Sequence, residues 1–139
     1  MNEEEFITKS SEETQKIAEK IAKGLKGGEV LALFGDLGAG KTTFVQGLAK
    51  GLGVKGRIIS PTFIILRTYP LRQSLSEASP LKDKNFYHVD LYRIESEKEV
   101  EEIGLKEILK DRKDIVAIEW AEKIQNILPD ERINIFFVN

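Results

Sequence analysis

The chain has 139 residues, 41% of them hydrophobic and 32% charged, a size that fits one folded unit around a single core. Lys and Arg number 21 against 23 Asp and Glu, for a net charge of −2, which speaks against a surface built mainly to neutralise nucleic-acid phosphates. The absence of cysteine and the single histidine, His88, exclude disulfides, thiol catalysis and Cys- or His-based metal centres; no apolar run reaches membrane-spanning length and the start MNEEEFITKS is acidic, unlike a signal or transit peptide, so a cytoplasmic protein is expected.

In chain order, SSEETQKIAEKIAKGLKGG has Ile17, Ile21 and Leu25 at helical spacing with Ala18 and Ala22 beside them. Ser10 and Glu13 are set as a capping box, and Gly27 and Gly28 stop the helix. EVLALFG (29–35) is a short apolar run that fits a parallel strand buried on both faces. GDLGAGKT (35–42) follows at once, and KTTFVQGLAKGLG (41–53) puts Phe44, Val45, Leu48 and Leu52 on one side of a helix. RIIS and TFIILRTY (62–69) read as strands, and the polar PLRQSLSEASPLKDKN (70–85) as a long hairpin loop.

FYHVDLYRI (86–94) alternates as a strand, SEKEVEEIGLKEILKD is helical with a break at Gly104, and DIVAIEW (114–120) is another apolar strand. AEKIQNIL is a short helix before Pro129, and RINIFFV (132–138) a last strand. The alternation predicts an α/β protein: a three-layer sandwich with a mostly parallel central sheet, an antiparallel portion and helices on both faces, in a single domain over residues 1–139.

Gly35, Gly40, Lys41 and Thr42 match G-x-x-x-x-G-K-[ST], with the strand before and the helix after that a phosphate-binding loop requires. Gly38 and Gly40 let backbone amides, that of Ala39 included, turn inward around phosphate oxygens. The helix starting at Lys41 points its positive end at the anion. Lys41 is expected at the β- and γ-phosphates and the Thr42 hydroxyl on Mg²⁺; Thr43 is either a further contact or an ordinary first-turn residue.

Such a site also needs a carboxylate at the carboxyl end of a strand, where α/β sheets bind ligands. Asp90 and Glu119 each follow an apolar run and are the two candidates; an ion pair with Arg93 is the specific rival reading for Asp90. In SPTF (60–63), Thr62 follows the loop helix after a short linker, where switch-type NTPases sense the γ-phosphate, or it simply starts a strand. His88 faces either solvent or the site, with a satisfied structural histidine preferred, and Trp120 reads first as core.

The guanine-reading N-K-x-D and a D-x-x-G are both absent, which disfavours a GTPase. A small-molecule or nucleoside kinase stays open, although the late arginines, Arg112 and Arg132, are isolated rather than gathered in a lid. A nucleotide-gated adaptor is the third reading.

GDLGAGKTTFVQGLAKGLG, SPTF, YHVDLYRI (87–94), IGLKEIL (103–109) and IEWAE (118–122), in this order and spacing, resemble the TsaE (YjeE) family. The resemblance implies a small α/β ATPase of bacterial tRNA N6-threonylcarbamoyladenosine formation that binds ATP and Mg²⁺. It would be weakly active alone, act with TsaB and TsaD, and meet tRNA only through that complex. It further implies that Thr42, Glu119 and Asp90 serve the metal, with Glu119 preferred for catalysis and Asp90 and Lys41 beside it. SPTF would be switch-like, Trp120 and Glu122 of IEWAE would lie at the nucleotide, and the segment at Ser11 and Thr14, equally explained as helix-cap polar groups, would be near adenine. Members of the family usually continue into a further Gly-Arg-bearing strand, whereas this sequence stops at Asn139.

Overall fold

The apolar runs that read as doubly buried strands form the middle of a five-stranded sheet. A computed structural model describes residues 3–35, 40–55, 58, 65–72 and 78–138. Its elements are α1 (Ser11–Lys23), β1 (Val30–Phe34), α2 (Lys41–Gly51), β2 (Leu66–Pro70), β3 (Asn85–Asp90), α3 (Glu97–Glu102), α4 (Leu105–Asp111), β4 (Ile115–Glu119), a 3₁₀ turn at Ala121–Ile124, and β5 (Ile133–Phe136). Among the described residues the strand order is β2-β3-β4-β1-β5. β3, β4, β1 and β5 run parallel and β2 pairs antiparallel with β3. The predicted mostly parallel sheet with an antiparallel portion is therefore what forms.

Strand alternation divides the side chains between two helical layers. Leu31, Leu33, Phe86, Ile115 and Ala117 pack under α1 and α2, while Val30, Ala32, Val89, Val116 and Ile118 pack under α3, α4 and the 3₁₀ turn. Both faces of β1 and β4 are thus covered, as the unbroken apolar runs require.

The N-terminus of α1 is capped as its sequence implies. The Ser10 side chain accepts a hydrogen bond from the Glu13 amide at 3.2 Å, and the Glu13 carboxylate accepts from the Lys9 amide, one residue outside the usual reciprocal partner. The buried stripe, however, centres on Ala18 and Ala22, with Ile17 and Ile21 only half-buried. The cause lies on α2. Gly47 and Gly51 bring the two helix backbones so close that a Cβ on Gly47 would stand 2.4 Å from the Gln15 carbonyl oxygen, and one on Gly51 2.7 Å from the Ala22 Cβ. Only small residues fit across that contact, so α1 turns its alanines inward. Gln15 donates to Gln46 at 3.2 Å along the same seam.

Other boundaries shift for local reasons. β3 stops at Asp90 rather than Ile94, because the Tyr92 amide turns back onto Asp90 Oδ1 (3.0 Å) and the Ile94 amide onto the Leu91 carbonyl (3.0 Å). Pro70 closes β2 instead of opening the loop; on an edge strand its missing N–H costs no ladder bond. α3 and α4 are separate helices divided at Gly104, which has φ +76°. The expected helix after Trp120 is a 3₁₀ turn, extended by an i→i+3 bond from the Ile127 amide to the Ile124 carbonyl. Apart from Ile58 and Ile65, RIIS and TFII lie outside the described residues. Among those described, no helix is long and apolar enough to cross a membrane.

Candidate functional site

The site lies at the carboxyl ends of β1, β3 and β4, where α2 begins. Gly40, with φ +101°, turns the chain into α2, and the Phe44 amide makes the first helical bond to the Gly40 carbonyl at 2.9 Å. A helix leaves the amides of its first turn without intrahelical acceptors, an arrangement suited to an anion. Lys41 is 4% exposed; its ammonium donates to the Gly35 carbonyl and lies 4.2 Å from the centre of the Trp120 ring.

Sheet register sets the acids. Asp90 and Glu119 are opposite one another on β3 and β4, and His88 is opposite Ala117. By strand parity His88, Asp90 and Glu119 follow Phe86 and Ala117 onto the α2 face. There the Thr42 hydroxyl donates to Glu119 Oε1 at 2.9 Å, and His88 Nε2 meets Glu119 Oε2 at 2.6 Å. Glu119 is 3% exposed and His88 fully buried. Burying a carboxylate is costly unless hydrogen bonds replace its water, and here each oxygen has a protein partner. Asp90 is less buried, with its amide on the Ile65 carbonyl (2.9 Å) and Oδ1 accepting from Tyr92.

Trp120 follows Glu119 with φ +62°, uncommon for a bulky residue. That turn carries its indole under Lys41, with the Tyr92 ring edge-on at 5.2 Å. Lys123 braces this wall by donating to the Tyr92 carbonyl (2.5 Å) and the Ile94 carbonyl (3.2 Å).

Lys41, Thr42, Glu119 and Trp120 thus come together from two distant stretches of sequence, with Asp90 alongside. Thr43 is half-buried in the first turn of α2. Ser11 is exposed at the start of α1, bonded to Glu12 at 3.4 Å, and Thr14 pairs with Thr8 at 2.8 Å. Because Gln15 lies beside Gln46 and Glu19 beside Lys50, this end of α1 is level with the start of α2, but Ser11 makes no hydrogen bond to the Thr42–Glu119 pair. Glu122 is exposed on the 3₁₀ turn. Gly38, Ala39 and Thr62 lie outside the described residues.

The residue underrated from sequence is His88. It is fully buried and contacts the candidate acid, with no partner for Nδ1 among the described residues. The signal was present: FYHVD alternates, so His88 must share a face with Asp90.

Among the described residues there is no cluster of three or more His, Cys, Asp or Glu that could hold a metal. A hydroxyl hydrogen-bonded to one buried carboxylate is the donor set expected where a hard ion such as Mg²⁺ is held largely by phosphates and water. These residues fit that ion only together with a nucleotide.

Residues 8–139 match the family described as "Threonylcarbamoyl adenosine biosynthesis protein TsaE". The chain belongs to the TsaE family. It is 42% identical over 135 residues to the tRNA threonylcarbamoyladenosine biosynthesis protein TsaE of Bacillus subtilis, covering 97% of this chain and 77% of that one. The protein of the same name from Rickettsia felis is 39% identical, over 94% of this chain and 70% of its own length. Among solved structures, Bacillus subtilis YdiB superposes with a TM-score of 0.66 at 34% identity, over 93% of this chain and 72% of that one. The TsaE fold and the α/β sandwich read from sequence therefore agree.

Proposed function

We propose that the chain is the ATP-binding and ATP-hydrolysing subunit of the tRNA N6-threonylcarbamoyladenosine machinery, acting with TsaB and TsaD. The observation that carries this reading is the Thr42–Glu119 hydrogen bond, which couples the phosphate-loop hydroxyl to a buried acid at the end of a neighbouring strand. The names of its relatives supply the pathway.

Lys41 leaves the Gly35 carbonyl and the Trp120 ring to bind the β- and γ-phosphates. Amides of the loop, those of Gly38, Ala39 and Gly40, hold the phosphate oxygens, and Thr43 is available beside them. Thr42 keeps its proton on Glu119 and turns a lone pair toward the ion. When bound, Mg²⁺ neutralises charge on the β- and γ-oxygens. Glu119 holds the hydroxyl and orients the attacking water, with Asp90 opposite it as the second carboxylate. Trp120 and Glu122 border the nucleotide, Ser11 lies toward the adenine, and Thr62 reports the γ-phosphate. The net charge of −2 suits a subunit that meets tRNA only through its partners.

A kinase would cover the transferred phosphoryl group with arginine. Arg112 and Arg132 instead precede β4 and β5, at the opposite end of the sheet from Glu119, where Arg112 bonds the Glu131 carbonyl and Arg132 the Pro129 carbonyl. Product analysis separates the two readings: ADP and inorganic phosphate should form in equal amounts in Mg²⁺, with or without added nucleosides. A phosphorylated acceptor would establish the kinase.

Trp120 is the single tryptophan, so its fluorescence reports on the site. Saturating ATP is expected to change its emission as Lys41 leaves the ring, and Lys41→Ala to abolish that change. An ATP response retained in Lys41→Ala would contradict this assignment.

A further inference from the structure

Resting on the ATPase reading above, we propose that His88 is a positioning residue that holds the Glu119 carboxylate in the rotamer needed by Thr42 and the metal ion. A glutamate has three side-chain torsions, and the end of a strand fixes none of them. Two contacts remove that freedom here, one on each oxygen: His88 Nε2 on Oε2 at 2.6 Å, and the Thr42 hydroxyl on Oε1 at 2.9 Å. The Thr42 hydroxyl is shared between Glu119 and the incoming ion, whereas His88, fully buried on β3, is placed to hold the other oxygen of the acid.

With Glu119 as a carboxylate, which only accepts, the contact uses the histidine tautomer that carries a proton on Nε2. Nδ1 has no partner among the described residues. The ring therefore spends its one good hydrogen bond on Glu119. A core-filling role alone would not call for a polar ring with its second nitrogen unsatisfied, since an apolar side chain would fill the same space without that penalty.

The test uses three His88 variants, a Glu119→Ala background and a readout that does not depend on turnover. Mn²⁺ affinity of the ADP-loaded protein is followed by electron paramagnetic resonance, ADP affinity is measured in chelator, and ATP turnover is measured in parallel. The amide nitrogen of Gln extends to the position of Nε2, whereas that of Asn reaches only that of Nδ1. His88→Leu and His88→Asn are expected to weaken Mn²⁺ binding roughly 10- to 100-fold, and His88→Gln to restore it to within about threefold of the wild type. Metal-free ADP affinity should stay within about twofold throughout. In a Glu119→Ala background, His88→Leu should add no further loss.

Wild-type Mn²⁺ affinity in His88→Leu would overturn the proposal. So would equal losses in Gln and Asn, or an undiminished His88 effect without Glu119. If His88→Leu does not fold, the Gln and Asn pair decides. A wild-type chain that binds no Mn²⁺–nucleotide would overturn the ATPase reading itself, a different result from any of these.

Discussion

Replacing Glu119 with alanine is expected to lower ATP turnover roughly 10²- to 10⁴-fold, the range for losing a positioned carboxylate that handles the attacking water. The same change should leave metal-free nucleotide affinity within a few-fold, because the groups assigned to the phosphates are Lys41 and the loop amides rather than the acid. Turnover would fall for two reasons. The Thr42 hydroxyl loses the acceptor it bonds at 2.9 Å, and the water loses its orienting oxygen. Glu119→Gln separates the two: its amide oxygen can still accept from Thr42 but carries no charge, so metal binding should recover more than the rate. Turnover in Glu119→Ala close to that of the wild type, measured by phosphate release, would move the catalytic assignment to Asp90.

The second large effect concerns stability. A Cβ at Gly47 would stand 2.4 Å from the Gln15 carbonyl oxygen, 2.6 Å from its Cα and 2.9 Å from the Ala18 Cβ. Two of those three atoms are backbone, so α1 as a whole must move. Overpacking of this kind costs about 1–3 kcal/mol, against which the better helix propensity of alanine returns about 1 kcal/mol. Gly47→Val adds bulk without that gain and is expected to cost about 3 kcal/mol, lowering Tm by roughly 10 °C. Gly24→Ala is the control. Its φ of −92° suits any residue and a Cβ there would meet only the Ile21 carbonyl at 3.6 Å, so the change in stability should stay within about 0.5 kcal/mol. Thermal unfolding followed by circular dichroism checks both; an unchanged Tm in Gly47→Val would mean that the helices are not in contact at this position.

The same contact shows what could and could not be read from the sequence. Periodicity located α1 and its apolar side, isoleucines and alanines together, but not which of them sits deepest: Ala18 and Ala22 do, because the facing surface is glycine, and what a helix packs against is not contained in its own sequence. The doubly buried strands β1 and β4 were legible because burial on both faces leaves unbroken apolar runs. Their ends were harder, since β3 stops where a side chain, Asp90, captures the amide of Tyr92.

At the site, Lys41 and Thr42 were legible from the loop motif, and Glu119 and Asp90 from their places after apolar runs. Register was not: only the pairing of β3 with β4 puts Asp90 opposite Glu119, and only the placement of α2 puts Thr42 on Oε1. His88 was undervalued because alternation gives the face it shares with Asp90 but not what stands against it, and only the packing of β3 beside β4 brings it onto Glu119. The left-handed turn at Trp120, which sends the ring beneath Lys41, likewise has no signature in an aromatic residue.

The measurement that bears most directly on the proposed function is ATP turnover by the purified wild-type chain, in Mg²⁺, titrated with TsaB and TsaD. The expected result is slow hydrolysis by the chain alone and a saturable rise in phosphate release as the two proteins are added together. A rate indifferent to them at every concentration would contradict the assignment of this site to their complex.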